Sequence, residues 1–410
     1  MRLPALRHAD FRNYLIGSFI SNVGNNVQVW AIAWHVYHLT ESSFMVGLIG
    51  LVRVVPLVVF TLFGGVLADQ ADRRKVLLLT QSCRAGIAVV LFVVTFLGKD
   101  SVGALYVIIA LSSITRAFDG PARQAMVVGL VPLSDFPNAA SLNGIGWRLS
   151  DVCGPIIAGF LIAFGKIGKI SGLDICYALN LVTFAAVIFA IWKLPARGSP
   201  EAVEPVRSFD EVITRIKEGL QFVGQTPVVR NAMWIDFWAT FLSGAEALLP
   251  AFAKKILGLG PEGYGILAAS TGVGALIAAA ALAWLPTIQR QGKTVVIMIA
   301  VYGFATIAFG ISPNLVLASA SLAVVGAADM ISTVLRQTIR QLATPDELRG
   351  RMSATSSLFH ISGPQLGDFE AGAVARGTGE RAAIVIGGAL CMFVAGHWSR
   401  AKALVSYEHK

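Results

Sequence analysis

The chain has 410 residues, of which 55% are hydrophobic and 14% charged, with a mean hydropathy of +0.68. Soluble domains carry about 25% charged residues, so an ordinary soluble domain is excluded. The net charge of +9 could suit nucleic acid, but the Lys and Arg residues fall in short loops between apolar spans, where they set membrane orientation. No nucleic-acid partner is expected.

Apolar stretches of about 18 residues or more can each cross a hydrocarbon core of about 30 Å. They predict spans at 11–38, 43–68, 76–98, 103–126, 139–164 and 171–193, then 228–253, 262–285, 294–311, 314–338, 351–375 and 382–398. Helices are the economical answer in lipid because each satisfies its own backbone hydrogen bonds. The first span begins near Phe11 with no small-residue cleavage site, so no removable signal is expected. Along it, Ser21, Asn22, Asn25 and Gln28 recur at helical spacing and predict a polar, cavity-facing stripe, with Trp30 continuing the helix. The last span is the weakest, diluted by Gly387, Gly388, Gly396 and His397.

Between the second and third spans the chain reads GGVLADQADRRK, from Gly64 to Lys75. This loop resembles the cytoplasmic gating motif of the major facilitator superfamily. Gly65, Leu67, Ala68, Asp69, Arg73, Arg74 and Lys75 match, whereas Gln70 and Asp72 replace the usual basic residue and glycine. The resemblance implies an all-α integral membrane fold of twelve helices in two pseudo-symmetric six-helix bundles. It also implies a gate in which Asp69, with Arg73 and Arg74, holds the halves together.

The fourth span contains SSITRAFDGPAR. Arg116 and Asp119, three apart, share a helix face and can partly neutralise each other. Arg116 and Gly120 also resemble a superfamily motif tied to proton transfer. In the fifth span, Gly146, Gly154, Pro155 and Gly159 resemble the antiporter motif, with Ser150 and Ala158 standing in for glycines. Small residues there let helix backbones approach closely, and the motif points towards export.

Residues 195–227 form the one long polar stretch and divide the chain into 1–194 and 228–410. Within it Phe209, Val212, Ile213, Ile216, Leu220 and Val223 predict an amphipathic helix. A shift of 213 residues superposes Arg123-Gln124 on Arg336-Gln337, Pro132 on Pro345 and Gly154 on Gly367, an internal repeat. Transporter halves commonly repeat in this way, with the substrate site near the midplane.

Ionisable residues inside spans cost about 2.5–3.5 kcal/mol each on insertion scales and mark functional cavities or internal pairs. The first half carries Arg53, Arg84, Arg116, Arg148, Asp119 and Asp151. The second carries Asp236, Glu246, Asp329, Asp368 and Glu370. Asp329, Asp368, Glu370, Glu246, Arg116 and Asp119 are the candidates for proton coupling. Asn22, Asn25, Gln28, Trp30, Arg53, Arg148, Asp151 and Trp238 are the candidates for a substrate cavity. Asp368 and Glu370, two apart, point to different faces. Cys83, Cys153, Cys176 and Cys391 lie in apolar segments and are expected to be packing residues.

Loop Lys and Arg residues concentrate on one side of a twelve-span stack, placing both termini in the cytoplasm. Arg123 and Arg336 are counted there as span-end charges. No Walker sequence, metal box or nucleophile–base pair is present, so neither cofactor, resident metal nor enzyme activity is expected. The segment from Leu335 to Leu358 resembles the stretch before the eleventh helix in a superfamily group of siderophore, macrolide and multidrug exporters. Gln337, Gln341, Thr344, Pro345, Gly350 and Arg351 carry that likeness. It implies a proton-driven exporter of a small amphiphilic compound in the cell membrane, with a monomer sufficient for the mechanism. A lysophospholipid or metabolite carrier, symport included, and a non-transporting receptor or assembly protein on the same fold remain as alternatives.

Overall fold

A computed structural model describes residues 3–70, 72–194, 209–286, 288–345 and 348–408. The linker residues 195–208 and the side chains of Gly65, Asp69 and Arg73 lie outside the described residues.

The first six spans form as α1 (Ala9–Thr40), α2 (Ser43–Gln70), α3 (Arg73–Phe96), α4 (Val102–Leu130), α5 (Phe136–Ala163) and α6 (Gly172–Trp192). The polar stretch then yields α7 (Phe209–Gln225) and α8 (Pro227–Leu242). The seventh span is not the continuous helix expected over 228–253. Helix α8 stops at Leu242, and the chain resumes as a 3-10 turn (Glu246–Leu248), a single turn α9 (Leu249–Ala251) and a π turn (Phe252–Ile256). The remaining spans form as α10 (Pro261–Trp284), α11 (Gln291–Ile311), α12 (Leu315–Ala343), α13 (Arg349–Thr378) and α14 (Glu380–Trp398), before a short α15 (Lys402–Val405).

Nine of the described helices are long and apolar enough to cross a membrane on length and hydropathy alone. Helices α1 and α13 fall outside that set despite their 32 and 30 residues, because amides stud the first and charged side chains the second. A two-residue hairpin, Lys166–Ile167 against Ile170–Ser171, turns between α5 and α6 at Gly165 and Gly168, whose φ values are +66° and +64°. Ser171 then starts α6 with a reciprocal capping box to Asp174, satisfying N–H groups that would otherwise be orphaned at the helix end.

The chain forms two compact units, Met1–Leu39 with Val55–Val212, and Thr40–Val54 with Ile213–Lys410. In the first, Phe11 and Tyr14 of α1, Leu77 and Ala88 of α3, and Phe184, Val187 and Ile191 of α6 share a buried core. In the second, Ile235 and Ala239 of α8, Val295 and Ile299 of α11, Leu335 and Ile339 of α12, and Cys391 and Val394 of α14 do so. The end of α7 docks here as well, Val223 packing with Val229, Met233 and Met352.

Lipid gives helices no hydrophobic reason to associate, so close backbone approach must hold them. A Cβ on Gly274 of α10 would lie 1.7 Å from the Ala323 carbonyl oxygen of α12, and one on Gly326 of α12 would lie 1.9 Å from that of Thr271. Gly303 of α11 and Gly388 of α14 meet in the same reciprocal way, at 2.7 Å each. Two of the glycines that dilute the last span, Gly387 and Gly388, are therefore part of its packing surface, whereas Gly396 meets nothing within 4 Å. The cysteines divide: Cys176 and Cys391 are buried, but Cys83 is exposed and does not pack as expected.

Candidate functional site

In the first unit, Asp119 is buried and its Oδ2 lies 2.6 Å from Nε of Arg123, one turn along α4. Nη1 of Arg84, on α3, lies 3.6 Å from the same oxygen. Oδ1 accepts from Gln81 Nε2 at 2.5 Å and from Thr80 Oγ1 at 3.2 Å. Asp119 is thus neutralised by Arg123 and Arg84, and the expected pairing with Arg116 is not made. The reason is geometric: four residues bring a long guanidinium back over the carboxylate, and α3 offers a second one. Arg116 remains an exposed side chain of this unit.

The polar stripe of α1 also turns inward. Gln28 Oε1 accepts from Asn180 Nδ2 of α6 at 2.7 Å, Asn25 Oδ1 accepts from Arg84, and Asn22 is buried. Asn25 and Gln28 are thus held by partners on neighbouring helices. An amide in a membrane helix seeks partners on neighbouring helices, and α3 and α6 supply them. Asn26, which the stripe omitted, donates to Ser150 Oγ at 3.2 Å and Asp151 Oδ1 at 3.3 Å on α5. Its Cβ would sit 2.3 Å from a Cβ on Gly154, so this glycine fixes how closely α1 and α5 cross. Pro155 and Gly159 are buried beside it, whereas Gly146 has ordinary room. Asp151 and Arg148 are half-exposed and 3.9 Å apart.

A buried histidine escaped the sequence reading. His35 Nε2 lies 2.8 Å from Asp100 Oδ2, and Nδ1 lies 3.0 Å from the Tyr177 hydroxyl. Only the lone polar residue among Trp34, Val36 and Tyr37 could have signalled it. Of the loop between α2 and α3, Asp72 caps α3 by accepting from Arg74 N and Lys75 N. The Arg74 guanidinium donates to the Ile191 and Trp192 carbonyls at the end of α6. Arg74 therefore closes a helix C-terminus within its own unit, where a cation is favoured.

In the second unit, Arg336 is 1% exposed and its Nη2 lies 2.6 Å from Oδ1 of Asp236 on α8. It also donates to Ser332 and Thr333, both at 2.9 Å, and approaches Asp329 at 3.9 Å. His360 Nδ1 of α13 lies 3.6 Å from the other Asp236 oxygen. Arg123 and Arg336, superposed by the repeat, are thus both internal to their helices and paired to carboxylates. They are not loop charges.

A second cluster surrounds the break after α8. Asp368 Oδ1 accepts from Ala247 N at 3.1 Å, so the carboxylate caps the chain where it restarts. Arg53 and Glu246 lie within its electrostatic reach, and the Tyr264 phenol lies within reach of all three. Glycines bring the backbones together. A Cβ on Gly244 would meet the Gly367 carbonyl carbon at 2.4 Å, one on Gly47 the Asp368 oxygen at 2.6 Å, and one on Gly50 the Gln365 oxygen at 2.1 Å. The first part of α2 is further held by Lys254 to Glu41 at 2.9 Å and by Ser43 to Glu380 at 3.0 Å. Glu370 is half-buried, two residues from Asp368. Trp238 stacks on Trp234 with centroids 6.3 Å apart and presents an accessible ring. A broken helix whose freed backbone meets a half-buried acid can bind an ion or a proton. It is a feature of transporter cores.

Hydrophobic helices packed through glycine, with carboxylates and arginines paired inside them, suit a secondary transporter, and the family match places the chain in the major facilitator superfamily. The chain belongs to the Transmembrane secretion effector family, which it matches over residues 2–409. It is 26% identical over 361 residues to the enterobactin exporter EntS of Shigella boydii serotype 18, covering 88% of this chain and 84% of that protein. The same figures hold for the enterobactin exporter of Escherichia coli O1:K1. Its fold matches that of a bacterial homologue of the human lysosomal transporter Spinster, with a TM-score of 0.73, 13% identity and full coverage of both chains. It also matches a bacterial homologue of the iron transporter ferroportin, with a TM-score of 0.73, 15% identity and 96% and 98% coverage.

Proposed function

We propose that this transporter is a proton-coupled exporter of a small amphiphilic compound, such as a siderophore or drug, in the cell membrane. The observation that carries the reading is Asp368 of α13 accepting from Ala247 N, the residue after Glu246, at 3.1 Å where the seventh span is interrupted. Ionisable groups set together at a break in a membrane helix mark a site that can take up and release a proton as access alternates. Asp329, beside Arg336, is the second carrier. Similarity to enterobactin exporters supports export, as does the packing of Gly154 against α1 at the fifth-helix motif.

The mechanism is alternating access by rocking of the two halves. Substrate enters from the cytoplasm with an acid deprotonated, and protonation from outside releases it. Asp69 and Arg73 of the gating loop bias the balance between the two states, a population effect without new chemistry.

The test is transport in proteoliposomes with an imposed pH gradient, offering enterobactin, a macrolide and a lysophospholipid in turn. One of the first two is expected to accumulate on the acidic side and to stop on addition of a protonophore. Transport that survives collapse of the gradient would overturn proton coupling. Movement of substrate together with protons would make the protein a symporter.

A further inference from the structure

At one end of the first unit, His35 of α1 is 2% exposed and both of its ring nitrogens are occupied. Nε2 lies 2.8 Å from Asp100 Oδ2, in the connection between α3 and α4, and Nδ1 lies 3.0 Å from the Tyr177 hydroxyl of α6. The transport mechanism uses none of the three. An ionised carboxylate only accepts hydrogen bonds, so Nε2 carries a hydrogen towards Asp100. A phenol both donates and accepts. Nδ1 can therefore accept the Tyr177 hydrogen when the ring is neutral, or donate to the Tyr177 oxygen when the ring is charged.

The charged form leaves the Tyr177 hydrogen in need of an acceptor at a fully buried position. Helix α6 supplies one. Asp174 lies three residues before Tyr177 on the same helix face, and aromatic side chains on a helix lean towards its N-terminus. Its Oδ2 is spent on the capping box, accepting from Ser171 N and Ser171 Oγ at 2.7 Å each. Its Oδ1 is buried with no hydrogen-bond partner among the described residues. Buried polar atoms are nearly always paired, so this oxygen is an open seat for the phenol hydrogen. The charged or titratable groups within reach of the ring are Asp100, Asp174 and His38. Cys176, beside Tyr177, turns its thiol to the Ala158 carbonyl of α5, and Lys99, beside Asp100, is exposed. Asp100 is itself 17% exposed and brings the site within reach of water.

We propose that His35, with Asp100, Tyr177 and Asp174, forms a proton-binding site in the first unit, separate from the acids of the second. One proton taken up at Nδ1 reverses the bond to Tyr177, whose hydroxyl keeps its hydrogen and turns it to Asp174 Oδ1. Nε2 goes on donating to Asp100. The site gains a single positive charge, and every polar atom in it has a partner both before and after. Histidine changes charge between about pH 5 and 8, so acid alone loads the site. It goes beyond the proton-coupled reading and does not depend on it.

The test needs no substrate. Full-length protein with isotope-labelled histidine is placed in liposomes, and its ring nitrogens are followed by solid-state NMR from about pH 8 to about pH 5, with His35→Gln identifying the signals. Nε2 is expected to stay protonated throughout, while Nδ1 passes from bare to protonated in a one-proton step. Asp174→Asn should move the midpoint of that step down by about one pH unit, because the charged ring loses a nearby anion. Tyr177→Phe, which leaves the capping box intact, should move it the same way by removing a charge-assisted bond, and serves if Asp174→Asn folds poorly. A ring that keeps a single hydrogen across the whole range would overturn the site. An unchanged midpoint in both variants would overturn the parts given to Tyr177 and Asp174. Neither result bears on proton coupling in the second unit, which the proteoliposome assay decides.

Discussion

Arg336 shows what a single side chain must satisfy in a membrane helix. Its guanidinium is buried, faces Asp236 at 2.6 Å and is held by two hydroxyls of its own helix. Removing one partner of a buried pair leaves the other charge uncompensated, at a cost of about 3–5 kcal/mol. Arg336→Met is therefore expected to lower the thermal unfolding temperature in detergent markedly, and adding Asp236→Leu should recover part of the loss. An unchanged melting curve for the single variant would contradict this account. The spacing that superposes Arg123 on Arg336 is visible in the chain, but their burial is not. A lone arginine near a span end reads equally well as a loop charge. Asp119 teaches the same lesson: it had Arg116 three residues away and Arg123 four residues away, and Arg84 on another helix joined the choice of partner.

Helices are legible where composition alone decides them. Eleven of the twelve expected spans form within a few residues of their predicted bounds. The exception is the seventh, where apolar residues run on through Ser243-Gly244-Ala245 and nothing local demands a stop. The break depends on α13: Asp368 accepts the Ala247 N–H, and Gly244 lies against the Gly367 backbone. Glycine contacts between helices carry a comparable burden. A side chain on Gly326 would collide with the helical carbonyl of Thr271 at 1.9 Å, which cannot move without parting α10 from α12. Gly326→Leu is expected to yield aggregated protein on size exclusion in detergent. Gly86→Ala, which meets nothing within 4 Å, should remain monodisperse with unchanged stability. Equal behaviour of the two would show that close α10–α12 packing is dispensable.

At the scale of the whole molecule, orientation follows from loop charge and is open to direct test. We expect a fluorescent protein fused after the C-terminus to fluoresce in cells, and alkaline phosphatase at the same point to be inactive. A phosphatase-active fusion would reverse the assignment of both termini. Internalising Arg123 and Arg336 removes two of the charges counted on that side, but Arg2, Arg7 and Arg12 precede the first span, Arg74 and Lys75 stand at the start of α3, and Arg400 and Lys402 follow α14. The remaining excess still favours the same side.

Membrane insertion, the number of spans and the superfamily are written in composition and short motifs, because hydropathy and span length act locally and need no partner. Which acid meets which base, where a helix breaks and which amides turn inward are tertiary decisions. Each depends on what a neighbouring helix presents at hydrogen-bonding distance, and residues as far apart as Asp236 and Arg336, or Ala247 and Asp368, come together only once their helices have packed.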